Sequence, residues 1–336
     1  MEDCKNILGI ESSCDDTSAA VMCNGVLVGQ ATNTQEVHAA YGGVVPEKAA
    51  RAHQNKIVPI VQKALQSANL PIQAIDAIAV TQGPGLLGSL LVGTSFANGL
   101  ALGSNIPMLG IHHTRAHLLA NLIEKPRPTF PFLGLVISGG HTQLVEVRHP
   151  LDMQLLGTTR DDAVGEAFDK IARMMNMPYP GGVHIDRHAI AGNPNRFTFP
   201  IPNVAGLDFS FSGIKTSFLY QMRKLATQDA DFLTTYHNDL CASVQYALVT
   251  SLMLKLTAAV AATKLQRVVL GGGVANNTEL QRRLTALAAE KGWELFIPRP
   301  SYTTDNAAMI AMAGHCALKA GMAPVSSVTP HPRMRF

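Results

Sequence analysis

The feature that most constrains this chain is a strand–polar turn–strand pattern that occurs twice. The first copy is Ile7-Leu8-Gly9-Ile10, the turn Glu11-Ser12-Ser13-Cys14-Asp15-Asp16-Thr17, and Ser18-Ala19-Ala20-Val21-Met22. The second is Phe132-Leu133-Gly134-Leu135-Val136-Ile137, the turn Ser138-Gly139-Gly140-His141-Thr142, and Gln143-Leu144-Val145-Glu146-Val147. Around them, short β-branched strands alternate with helical stretches, which is an α/β pattern. Two such hairpins in one chain point to a duplicated, two-lobed architecture. The lobes are expected at 1–126 and 127–299, with 300–336 as a segment that can return to the first. Three prolines between Glu124 and Pro131 suit a linker. The Gly-, Pro- and Asn-rich stretch 178–215 reads as loop, part of an insertion near 178–232.

Composition narrows the function. The 336 residues are 47% hydrophobic and 15% charged, so the chain can bury a large core. A net charge of +3 falls short of a wholly basic nucleic-acid-binding surface. Local basic groups at Arg51 to Lys56, Arg223-Lys224, Arg282-Arg283, Arg333 and Arg335 leave a basic face open. Five cysteines at 4, 14, 23, 241 and 316 form no Cys-x-x-Cys pair, so reduced thiols are expected rather than a zinc knuckle or disulfide framework. Met1-Glu2-Asp3 begins neither a basic signal nor a transit peptide. The apolar runs Gly85–Gly103 and 242–262 carry polar interruptions and read as buried core helices, with no membrane span.

Three groups of residues carry chemistry. His113 and His117, in His-Thr-Arg-Ala-His, share one helix face at the spacing of a divalent-metal pair, with a third ligand from elsewhere. Thr114 stands where a His-Glu-x-x-His metallopeptidase has its base, which weakens that alternative. Asp305 is either an oxygen ligand or the N-cap of the helix that follows. Glycine turns at Gly83-Pro84-Gly85, Ser138-Gly139-Gly140, Gly181-Gly182 and Gly271-Gly272-Gly273 let backbone N–H groups approach an anionic nucleotide. Neither a P-loop nor a G-x-G-x-x-G fingerprint is present. Asp15, Asp16 and Asp169 can accept a proton, order water or hold ribose, or serve only as turn and surface residues.

These phrases, together with Tyr41-Gly42-Gly43-Val44-Val45-Pro46-Glu47, Gly165-Glu166-Ala167-Phe168-Asp169-Lys170, Phe209-Ser210-Phe211-Ser212-Gly213 and Thr304-Asp305-Asn306, fall in an order that resembles the tRNA N6-adenosine threonylcarbamoyltransferase (TsaD) family. The resemblance runs from about residue 6 to 320 and implies the two-lobed actin-like ATPase fold. It implies that His113, His117 and Asp305 hold one iron or zinc ion, meeting across the gap between the halves. Val136, Ile137, Ser138, Gly139, Gly140, Asp169, Gly182 and Asn277 would bind threonylcarbamoyl-adenylate, with Asp186 reaching the ribose; Asn276 is the alternative to Asn277. The implied reaction moves the threonylcarbamoyl group to N6 of the adenosine beside the anticodon in tRNAs reading codons that begin with A. Asp15 or Asp16 would take the amine proton. Implied partners are tRNA, a TsaB-type paralogue and a TsaE-type P-loop ATPase, in the cytoplasm. The alternative within the same fold is an ATPase or sugar-kinase-like phosphotransferase.

Overall fold

The computed structural model describes residues 5–336; Met1-Glu2-Asp3 and Cys4 lie outside the described residues. Two compact units form. The first runs through Phe130, takes in Arg148–Met153 and is closed by Pro298–Phe336; the second is Pro131–Val147 with Gln154–Ile297. The hairpin tip Arg148–Met153 thus joins the first unit, although the chain pattern assigns it to the second.

The first unit starts with β1 (Asn6–Glu11), β2 (Asp16–Cys23) and β3 (Val26–Thr34), then α1 (Pro46–Ser67), β4 (Ala77–Gly83), α2 (Leu87–Ser104), β5 (Met108–His112) and α3 (His113–Leu119). The sheet order is β3-β2-β1-β4-β5. β1 is antiparallel to β2 and parallel to β4, and β4 is parallel to β5. β1 is central and covered on both faces, which explains its nearly unbroken apolar run.

The second unit holds β6 (Phe132–Ile137), β7 (Thr142–His149), β8 (Asp152–Thr158), α4 (Val164–Met174), α5 (Gly181–Ala189), α6 (Ser212–Gln228), α7 (Phe232–Thr263), β9 (Arg267–Gly271), α8 (Thr278–Lys291) and β10 (Glu294–Phe296). Its order, β10-β9-β6-β7-β8, repeats the first sheet position for position. The stretch read as loop contains helix α5, and α6 begins within it at Ser212; Gly181-Gly182 open a helix rather than a tight turn. α7 is long and apolar enough to cross a membrane by length and composition alone. It buries Leu240, Val244, Leu248, Leu252 and Leu256 in the core of this unit, as a core helix does.

The run Gly85–Gly103 corrects the expectation of a buried helix. α2 buries Ser89, Leu90, Gly93, Thr94, Ala97 and Ala101, but Leu87, Leu91 and Leu102 are 53%, 44% and 87% exposed. Among the cysteines, Cys14, Cys241 and Cys316 are reduced thiols.

The chain then returns to the first unit with α9 (Pro300–Thr303) and α10 (Ala307–Lys319). α10 is apolar nearly all round because it packs on the sheet, against β1 and β2. Gly9 permits this approach: a Cβ there would lie 2.5 Å from the Ala307 carbonyl oxygen and 2.9 Å from the Ala311 Cβ. Gly9→Ala is therefore expected to destabilise the protein by about 1–3 kcal/mol through overpacking. The denaturant midpoint measures this, and an unchanged midpoint would contradict the close packing.

Candidate metal centre and nucleotide loops

The parallel strands β1, β4 and β5 end on one edge of the first sheet, where α/β folds place their sites. β1 ends at Glu11, β5 at His112, and α3 starts at once with His113. One helical turn later His117 stands on the same face, its ring perpendicular to that of His113 with centroids 4.8 Å apart. Asp305 arrives on the returning segment. Asn306, not Asp305, caps α10, accepting from the Met309 N–H at 2.9 Å, while the Ala307 N–H donates to Ser18 Oγ at 3.0 Å. With the cap supplied by its neighbour, the Asp305 carboxylate is left to face the histidines. Its Oδ1 lies 3.3 Å from both His113 Nε2 and His117 Nε2. All three donors belong to the first unit, so the carboxylate does not reach across from the other half.

The set fits a divalent cation. Donors placed about 2.0–2.1 Å from one tetrahedral centre lie roughly 3.3–3.4 Å apart; Asp305 stands at that spacing from both imidazoles, and all three donor atoms lie within 4.8 Å of one another. Both nitrogens of His117 are buried without a hydrogen bond, and a cation bound at Nε2 would relieve that cost for the nitrogen facing Asp305. Burial drives His117 below the usual imidazole range, so a neutral, ligating ring is favoured. Burial opposes charge on His113 too, but the Asp305 and Glu11 carboxylates override it and raise that ring well above the ordinary value. A cation at Nε2 would take the place of that proton.

Glu11 is the residue that motif reading quoted without giving it a task. Fully buried, it receives the His113 Nδ1–H at 3.0 Å, the Thr81 hydroxyl at 2.8 Å and the backbone N–H of Ser13. Burial pushes its pKa up, but His113 prevails and holds it below the ordinary carboxylate range. By fixing the Nδ1–H tautomer, Glu11 aims Nε2 at the centre, the carboxylate–histidine–metal relay of many metal sites. Its signal was there: an acid at the end of an otherwise apolar central strand. Thr114 is buried with its hydroxyl on His112 Nδ1 at 3.1 Å, so no carboxylate occupies the peptidase-base position.

Asp15 and Asp16 lie near this centre, half-buried in the first hairpin turn. Burial, then the charge of Asp305, raises Asp15. Burial raises Asp16 most, up to about 7, and its Oδ1 is buried without a hydrogen bond.

The residues expected to bind the adenylate all lie in the second unit, and the structure separates them into two kinds. Val136 and Ile137 are fully buried in β6, between β7 and β9, at the strand end that leads into the Ser138 turn. Ser138 closes the turn, its Oγ accepting the His141 N–H at 3.1 Å, and Gly139 and Gly140 are exposed with open space around them. Gly165 packs α4 against this turn, where a Cβ would meet the Ser138 carbonyl at 2.6 Å. Asp169 accepts the N–H groups of Gly181 and Gly182 at 2.7 and 3.3 Å, and burial raises its pKa. Asp186 takes the N–H and hydroxyl of Thr278. Asn277 is spent on the fold: it caps α8 at Leu280 and donates to Gln245 Oε1 at 2.9 Å. Of the glycine turns, Gly83-Pro84-Gly85 is internally committed, since Gly85 N–H bonds Pro332 and Leu86 N–H bonds Ser13.

The duplicated mixed sheets make this a protein of the two-lobed actin-like ATPase type, with a His–His–carboxylate centre in one lobe. The HypF structure from T. kodakarensis shares the fold at a TM-score of 0.66 and 15% identity, over 95% of this chain and 49% of that one, so the chain spans about half of HypF. The chain is 51% identical over 335 residues to a tRNA N6-adenosine threonylcarbamoyltransferase of Christiangramia forsetii, covering 98% of each. It is 51% identical over 328 residues to the Porphyromonas gingivalis protein of the same name, covering 96% of each. The model of the tRNA N6-adenosine threonylcarbamoyltransferase (TsaD) family matches residues 26–312, and the chain belongs to that family.

Two predictions follow from the geometry. His117→Ala or Asp305→Ala should strip the metal measured by elemental analysis of the purified protein, and Glu11→Gln should weaken metal affinity about 10–100-fold. Full metal content in the first two variants would exclude the site. The second concerns metal-stripped protein. Asp16 binds its proton more tightly folded, at about 7, than at its ordinary 3.8. Its contribution is therefore complete below pH 4 and is lost as pH rises to 7. Asp16→Asn should gain stability relative to the parent between pH 4 and pH 8, read as diverging melting temperatures; parallel curves would refute the shift.

Proposed function

We propose that this chain transfers the threonylcarbamoyl group from threonylcarbamoyl-adenylate to N6 of the adenosine adjacent to the anticodon in tRNAs reading ANN codons. The observation that carries this reading is identity of about half the residues, over nearly the whole chain, to relatives named for the activity. The N6 amine attacks the carbamoyl carbon, the bond from that carbon to the phosphate oxygen breaks, and AMP leaves with the electron pair. The adenylate is already activated, so the protein has to align the reactants and accept one proton.

Asp15 or Asp16 accepts that proton. Support comes from the upward shift of both, which brings a carboxylate toward the range in which it is an effective base at neutral pH. His113, His117 and Asp305 would hold iron or zinc, and the ion would supply Lewis acidity. Ser138, Gly139 and Gly140 offer an open backbone turn to the adenylate. Asp169 and Asp186, whose carboxylates accept the first N–H groups of α5 and α8, complete the adenylate site with Gly182, Val136, Ile137 and Asn277, Asp186 reaching the ribose.

The exposed Leu87, Leu91 and Leu102 fall within one side of α2 and favour a protein partner there, for which we propose the TsaB-type paralogue. A TsaE-type P-loop ATPase completes the set, and the working compartment is the cytoplasm.

The test is reconstitution with tRNA, threonine, bicarbonate, ATP, an adenylate-forming enzyme and these partners, followed by nucleoside analysis. Threonylcarbamoyl-adenosine should appear and should vanish on chelation. Asp15→Ala should lower transfer about 10²–10⁴-fold while adenylate binding persists. Near-normal turnover would remove Asp15 from the role.

A further inference from the structure

We propose that His53 of α1 is a positioning residue for the Asp15 carboxylate, acting through the Cys14–Asp15 peptide. The inference rests on the reading of Asp15 as proton acceptor. His53 has no exposed surface, and no part of the metal centre uses it. Its Nε2 lies 2.9 Å from the Cys14 carbonyl oxygen and its Nδ1 lies 2.8 Å from Thr17 Oγ1. A carbonyl only accepts, so Nε2 carries the hydrogen, and Nδ1 accepts from the Thr17 hydroxyl. The ring is thereby held as one neutral tautomer, in keeping with its downward pKa shift through burial.

The two contacts flank Asp15 and Asp16. On one side, the Cys14 carbonyl also accepts the Ser89 hydroxyl at 3.0 Å, so both its lone pairs are engaged, one from α1 and one from α2. A trans peptide is planar, with C=O and N–H pointing opposite ways. Fixing the Cys14 carbonyl therefore fixes the Asp15 N–H and, in the same plane, the Cα from which the Asp15 side chain departs. His53 thus acts on the Asp15 side chain through one hydrogen bond and the rigid Cys14–Asp15 peptide. On the other side, Thr17 is pinned at the start of β2, so the turn is held at both ends.

The experiment compares His53→Leu, His53→Gln, Ser89→Ala and Asp15→Ala in the reconstituted system, with kcat, KM for tRNA, adenylate binding and metal content measured for each. His53→Leu should lower kcat at least about tenfold, as misplacement of a reacting group does, with KM, adenylate binding and metal content unchanged. His53→Gln keeps a donor for the Cys14 carbonyl and should recover kcat to within a few-fold. Ser89→Ala, which removes the second donor, should lower kcat in the same direction and decides the matter should the Leu variant fail to fold. Unchanged kcat in His53→Leu or Ser89→Ala, or a Gln variant no better than Leu, overturns the proposal. Normal turnover by Asp15→Ala overturns the proton-acceptor reading, and this inference with it, whatever the His53 variants do.

Discussion

A carboxylate with no solvent around it has to be compensated, and Glu11 is such a group at the end of the central strand of the first sheet. Its partners come from three places: the hairpin turn through Ser13, the neighbouring strand through Thr81, and helix α3 through His113. One buried charge thus ties the turn that carries Asp15 and Asp16 to the helix that carries His113 and His117. Removing a single partner would leave the rest of the charge unpaid inside the core, which is why such a knot holds a site in one geometry. The returning helix α10 completes it, because the close seat that Gly9 allows brings Asp305 to the same strand end.

The two units show what one topology can be made to do. Both sheets have the same strand order, and in both a central strand ends in a polar turn. In the first unit the strand ends carry Glu11, His113 and nearby carboxylates, all suited to a cation. In the second they carry Ser138, Gly139, Gly140 and Gly272, which suit an approaching anionic ligand. Gly272 has φ of +92° and leaves no room for a Cβ against the Ile137 carbonyl, so the turn keeps its shape at the cost of any side chain. The architecture repeats; the chemistry at the strand ends does not.

Periodicity and turn residues made the duplicated hairpins legible, because a central strand buried on both faces leaves a strong apolar run. The His113/His117 pair was legible because helix geometry places i and i+4 together. Other features depend on partners distant in sequence. Whether Asp305 caps or ligates turns on Asn306 taking the cap, and that is visible only once α10 is seated beside Ser18. Val136, Ile137 and Asn277 fell within motifs, but the burial of the first two and the capping of α8 by Asn277 depend on elements that a motif does not show. The outer face of α2 read as buried because hydropathy alone cannot tell a core from an exposed apolar surface.

Charge explains why these groups belong together. Glu11, Asp15, Asp16 and Asp305 crowd one end of the first sheet, and burial strengthens their mutual repulsion. The fold answers that repulsion in two ways without any ion: His113 keeps a proton against the cost of burial, and Asp16 retains one up to about pH 7. Both responses supply positive charge or withhold negative charge at the same place. A divalent cation on the two imidazoles and Asp305 would supply it directly, leaving His113 neutral at Nε2 and easing ionisation of the neighbouring aspartates. The candidate metal triad and the two aspartates are on this account one electrostatic unit, in which a cation at the first would change the charge of the second.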